Sequence, residues 1–211
     1  MERGVSGDGS MSQRGTVLFD SLHAMGQKES SHLAIKTGDI RCMVSPRKLK
    51  FLAEKNENVN MRFRTWLKVN ADPDDLDRRF LRLHKELFAD YDCSRCRNCC
   101  KEYIGSIPEA DIERDAAGLN MSVEEFTCKY LNMERGLDDG AYCAKGYPCS
   151  FLQNDGECLM GENKPENCVK YPYTDQPDRM GSLFSMLDTI SICPVAYEIW
   201  ERLKAEYRFR A

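Results

Sequence analysis

The sequence predicts a mainly α protein, a small helical domain with an irregular cysteine-rich, metal-bound segment and little β structure. Three observations predict it. Apolar residues recur at helical spacing before residue 90 and again after residue 194. Helix start signals of the Asp-Pro and Ser-x-x-Glu kinds precede such runs. Between them, residues 136–182 are crowded with Gly and Pro and carry Cys143, Cys149, Cys158 and Cys168. So long an irregular stretch inside a compact domain needs something other than ladder hydrogen bonds to fix it, and coordination is the natural candidate.

Residues 1–57 are rich in Gly, Ser, Lys and Asn, with apolar residues only in short patches such as Val17, Leu18 and Phe19. They read as a flexible N-terminal arm, and residues 58–208 as the cysteine-cluster domain. The spaced Gly4, Gly7 and Gly9 follow no strand and open no helix, so they are no phosphate loop. Order is expected from about Met61. A helix follows from Pro73: Asp72 is a good N-cap, Pro73 suits the first turn, and Asp74, Asp75 and Asp77 favour the positive end of its dipole. Leu76, Phe80, Leu83 and Leu87 share its apolar face, and it should end near Asp90. His84 on this helix reads as a surface or core histidine, because no second His or carboxylate motif accompanies it.

Pro108 opens a short helix stopped by Gly118. Ser122 and Glu125 form a capping box ahead of Val123, Phe126, Tyr130 and Leu131. Leu183–Ile192 reads as a strand or a short helix. Pro194 starts a last helix with Ala196, Ile199, Trp200, Leu203 and Tyr207 on one face.

Composition bounds the function. The net charge of −4 lacks the basic surplus of a nucleic-acid binder. No run of apolar residues is long enough to span a membrane, and the N-terminus has no secretory h-region, so a cytoplasmic, reducing setting is expected. The 11 cysteines are the outlier. An odd count in a tight cluster argues against a disulfide scaffold.

The run Cys93-x-x-Cys96-x-x-Cys99-Cys100 carries the chemistry. A Cys-x-x-Cys turn aims two thiolates at one ion, and its N–H groups help to hold negative charge at the sulfurs. Cys93, Cys96 and Cys99 are three evenly placed ligands, as at the start of the bacterial ferredoxin run, and Cys193-Pro194 is the kind of pair that recurs there. Zinc sites more often show two separated pairs or mix in histidine. An iron–sulfur cluster is therefore favoured, with zinc as the alternative, since thiolate-only sites suit both. Arg95, Arg97, Lys101, Lys145, Lys164 and Lys170 flank the cysteines, where cations favour thiolates. Cys42 and Cys128 read as non-ligand thiols, and Cys143 is left open.

On these motifs the chain resembles the YkgJ-type cysteine-cluster family, the CxxCxxCC proteins described as zinc- or iron-chelating. The resemblance runs from about Phe63 to Lys204. It rests on Phe63-Arg64-x-x-Leu67-Lys68, the Asp92-Cys93 run to Cys100, Pro148-Cys149-x-Phe151-Leu152, Gly156-x-Cys158, Pro165-x-x-Cys168-x-x-Tyr171-Pro172, and Cys193-Pro194. It implies Cys93, Cys96, Cys99, Cys100, Cys149, Cys158, Cys168 and Cys193 as the ligand set, serving one cluster or two four-coordinate sites. Where the family usually reads Cys-x-x-Tyr-x-x-Arg-Pro, this chain has Cys158 to Gly161, Lys164 and Pro165; Lys164 keeps the charge without Arg's planar fork. Relatives include flagellin lysine-N-methylase-like proteins. The expected function is metal binding in support of a redox or group-transfer role, with protein methylation within that range. The alternatives are a zinc-stapled interaction module without catalysis and a metal-handling protein. The expected counterpart is a protein partner or substrate; whether the chain is an enzyme is left open, and no catalytic residue is assigned.

Overall fold

The computed structural model describes residues 43–137 and 140–210. They are mainly helical, in the order α1 (Pro46–Lys55), α2 (Glu57–Asn70), α3 (Pro73–Phe88), α4 (Cys93–Cys96), α5 (Cys99–Glu102), β1 (Ser106–Pro108), α6 (Ile112–Gly118), α7 (Val123–Tyr130), β2 (Leu131–Leu137), β3 (Ala141–Ala144), α8 (Glu166–Lys170), α9 (Leu183–Ile192) and α10 (Pro194–Glu206). No helix among them is long and apolar enough to cross a membrane.

Local signals account for the longest helices. In α3 the Asp72 side chain accepts from the Asp75 N–H, Pro73 fills the first turn, and Leu76, Phe80, Leu83 and Leu87 are the buried residues. The Ser122 capping box of α7 is formed in both directions, with Glu125 N–H on Ser122 and Ser122 N–H on the Glu125 carboxylate. Pro194 opens α10, whose Val195, Ala196, Ile199, Trp200 and Leu203 are fully buried. Leu183–Ile192 is a helix.

Two expectations need correction. Residues 46–55, assigned above to the arm, form α1, and order begins before Met61. Pro46 stands in its first turn and Leu49 is completely buried. What holds α1 is packing on α9, a long-range contact that local periodicity does not reveal. The rest of the expected arm, including Cys42 and the glycines at 4, 7 and 9, lies outside the described residues. The irregular 136–182 stretch also contains β3, the central strand of an antiparallel sheet ordered β1-β3-β2. Ser106 pairs with Cys143, and Asn132 pairs with Cys143 from the other side, with a bulge between Asn132 and Gly136.

The apolar residues fall into two cores. The first joins α1, α2, α3, α9 and α10 around Phe63, Phe80 and Trp200. There the Trp200 indole donates to Asn60 Oδ1 at 3.1 Å, and the Lys204 ammonium donates to the same oxygen at 2.7 Å. The second joins the sheet, α6 and α7 to Phe151 and Met160 of the cysteine-rich loops. The cysteines lie along both cores, Cys193 in the first, Cys149 and Cys158 against the second.

Candidate metal centre

The CxxCxxCC run folds as two single helical turns. Asp92 caps the first: its carboxylate accepts the Ser94 N–H at 2.9 Å, and Cys93 and Cys96 bound that turn. Arg97 then adopts a left-handed conformation (φ 49°), which breaks the helix and restarts it at Cys99. Arg97 is anchored by a 2.7 Å bond to Glu157. Asn98 donates to the Ile192 carbonyl at 2.7 Å, one residue before Cys193. This bond ties the run to the junction of α9 and α10.

Cys93, Cys96 and Cys193 lie within electrostatic reach of one another. Cys193 caps α10, and the Val195 and Ala196 N–H groups point at its sulfur, a helix N-terminus that favours a thiolate. Burial opposes this and pushes the Cys193 thiol up to about 12. The Tyr91 hydroxyl faces Cys96, and Cys99 lies within electrostatic reach of Cys193.

A second gathering forms behind the first. Cys100, Cys149, Cys158 and Cys168 line one pocket and lie within electrostatic reach of one another. Backbone bonds hold it: Cys149 N–H donates to the Cys100 carbonyl at 2.9 Å, and a bridge pairs Leu152 with Cys158. Cys99, Cys100, Cys149, Cys158 and Cys168 line one pocket of about 40 Å³ with Lys164 among its walls. Burial pushes the Cys168 thiol up to about 12. Cys99 is raised and Cys100 lowered, since the Cys99 thiol hydrogen-bonds to the Cys100 sulfur; Lys164 and Arg97 also favour the Cys100 thiolate. Lys164 acts on Cys93 as well, so it is a cation shared by both gatherings.

The donor set suits a thiophilic metal. It is all sulfur, most of its thiols are half-buried, and burial raises those of Cys93, Cys149, Cys168 and Cys193, protons that a bound metal displaces. Among the described residues no three His, Cys, Asp or Glu side chains already stand as a finished metal cage. His84 is not one of the group: its Nδ1 lies 2.8 Å from the Thr174 hydroxyl and its ring packs on Phe88. Cys128 is exposed, and Cys143 sits on β3 outside the pocket lining.

Some site residues carry no sequence signal of their own. Gly105 leaves the space that Cys168 occupies, for a Cβ there would lie 2.3 Å from the Cys168 sulfur. Tyr103 and Tyr171 pack at 4.6 Å between ring centres, tilted by 30°, and wall the pocket. Asn98 lies inside the motif, but its partner could not be read from spacing.

A family model for CxxCxxCC proteins, described as a "Putative zinc- or iron-chelating domain", matches residues 92–193. No curated protein and no solved structure matches the chain.

Proposed function

Residues 92–193 make this chain a member of the CxxCxxCC family, and on that premise we propose that it holds metal at two neighbouring thiolate centres. Cys93, Cys96, Cys99 and Cys193 serve the first, and Cys100, Cys149, Cys158 and Cys168 the second. The observation that carries this reading is the Asn98 bond to the Ile192 carbonyl, which brings Cys193 within electrostatic reach of Cys93 and Cys96 from opposite ends of the matched segment. Cys99 lines the second pocket beside Cys100 and is also within electrostatic reach of Cys193, so it sits where the two centres adjoin and can serve the first.

Iron–sulfur is the leading identity. Its support is the even Cys-x-x-Cys spacing, the Cys193-Pro194 pair, and the absence of histidine from the group among the described residues. An iron–sulfur pair of this kind would serve one-electron transfer to a protein partner in a reducing compartment. The flagellin-methylase relationship brings no further residue argument to this chain. Zinc is the second reading, supported by the family description, which names zinc beside iron, and by an all-thiolate donor set that suits both. Metal at the second centre would serve as a staple for the loops around Phe151 and Met160.

Anaerobic purification followed by metal analysis, visible absorption and EPR tests this. The leading reading expects brown protein with broad absorption near ~400 nm and reversible reduction. Colourless protein with two zinc ions per chain selects the second reading. Protein with no stoichiometric metal refutes both.

A further inference from the structure

On the far side of the Tyr103–Tyr171 wall lies a second cavity, of about 470 Å³, which Tyr171, Tyr173, Arg179, Ser185, Asp188 and Thr189 help to line. Arg179 is 7% exposed. Its guanidinium makes no hydrogen bond or ion pair among the described residues, and its Nε is buried without a partner. Its face packs toward Phe80 at 5.8 Å.

Arginine keeps its charge, and a buried guanidinium with unused donors is costly unless something pairs with it. The nearest carboxylates are committed elsewhere. Asp77 accepts the backbone N–H groups of Asp178 and Arg179, both at 2.8 Å. Asp178 accepts the Gly181 N–H, and Asp175 accepts the Gln176 amide. They surround Arg179 with negative charge that a dianion would meet unfavourably, whereas a monoanion in the fork's plane makes two charge-assisted bonds. The Tyr171 hydroxyl is also buried without a formed hydrogen bond, beside Thr189.

The lining next to Tyr171 asks for the reverse chemistry. Ser185 donates its hydroxyl proton to the Ser182 carbonyl, and Thr189 donates to the Ser185 carbonyl, both at 2.9 Å. Each therefore turns only acceptor lone pairs outward. Asp188 adds a carboxylate to the same lining. Tyr103, Met186 and Ile192 supply apolar surface in the same lining, where an aliphatic side chain can pack.

We propose that this cavity binds a small zwitterion of the amino-acid class, its carboxylate on Arg179 and Tyr171, its ammonium among Asp188, Ser185 and Thr189. The site is separate from the cysteine pocket and does not depend on which metal, if any, the thiolates hold.

Isothermal titration of the full chain, as isolated, with L-norleucine, hexanoate, hexylamine and inorganic phosphate tests it. L-norleucine is expected to bind, hexanoate about tenfold more weakly, and hexylamine and phosphate not measurably. Arg179→Gln should lower L-norleucine affinity about 30-fold while its melting temperature stays at or above that of the parent, because the substitution removes a buried charge whose donors make no hydrogen bond. Asp188→Asn, at an exposed position, should erase the advantage of L-norleucine over hexanoate. The proposal is overturned if L-norleucine gives no heat at tens of millimolar, if phosphate binds in its place, or if Asp188→Asn leaves the preference intact. An Arg179→Gln protein that melts lower than the parent overturns it too, since Arg179 would then be structural.

Discussion

Replacing Gly105 by Ala isolates the packing that holds Cys168. Gly105 has no left-handed φ, so alanine suits its backbone, and the only obstacle is the added methyl. That methyl would lie 2.3 Å from the Cys168 sulfur, where ordinary contacts need about 3.5–4.0 Å. The sulfur or the strand leading into Ser106 must therefore shift by roughly 1.2–1.7 Å. Thiolate–metal distances tolerate only about 0.2 Å, so the second centre loses a ligand. Overpacking of this kind costs about 1–3 kcal/mol, and about 2 kcal/mol lowers the melting temperature of a domain this size by roughly 4–8 °C. Metal affinity of the second centre should fall at least ~10–100-fold, the loss typical of disturbing a ligand's support. Differential scanning calorimetry and metal titration of Gly105→Ala read both effects. Gly118→Ala is the control: its methyl would meet only the Asn163 amide, the end of a movable side chain, at 2.8 Å. A Gly105→Ala protein with unchanged melting and full metal content would refute the packing argument.

Three further outcomes are expected. Asn60→Ala leaves the buried Trp200 indole N–H and the Lys204 ammonium without their shared oxygen, and should cost about 1–3 kcal/mol in urea unfolding; an unchanged midpoint contradicts the role given to Asn60. Burial holds the His84 imidazole below its ordinary value of 6.5, so the folded state binds its proton less well than the unfolded chain. Its contribution is full above pH 6.5 and is lost as pH falls through that value toward the depressed one; parent minus His84→Gln should show this slope, and parallel curves would exclude it. Stripping metal under reducing conditions should raise amide exchange at 93–102 and 145–170 while α3 and α10, closed by the other core, stay protected; uniform loss of protection would show one cooperative unit.

How much of this was legible in the sequence depended on distance along the chain. The helix from Pro73, the Ser122 capping box and the helix from Pro194 announce themselves because cap, first turn and apolar face lie within a few residues. The helix at Pro46–Lys55 does not, since its Leu49 is buried by α9 from far along the chain. The strand Ala141–Ala144 is hidden for the same reason, being short and fixed by partners on both sides. Cysteine identity was legible at the site, because a crowded thiolate motif has few other uses. The division of the cysteines was not, for it turns on the Asn98 bond to Ile192 and on the gap at Gly105. Arg179 gave no signal either: in sequence it is one charge among 30 Lys and Arg, and only its burial without a partner sets it apart.

Sulfur-only coordination is the claim on which the metal reading depends, and X-ray absorption at the metal edge of anaerobically isolated protein tests it most directly. The expected first shell is sulfur alone, at about 2.3 Å, four per metal, losing one scatterer from one of the two centres in Cys193→Ser and from the other in Cys158→Ser. A first shell containing nitrogen or oxygen in the parent protein, or one that neither substitution changes, would contradict it.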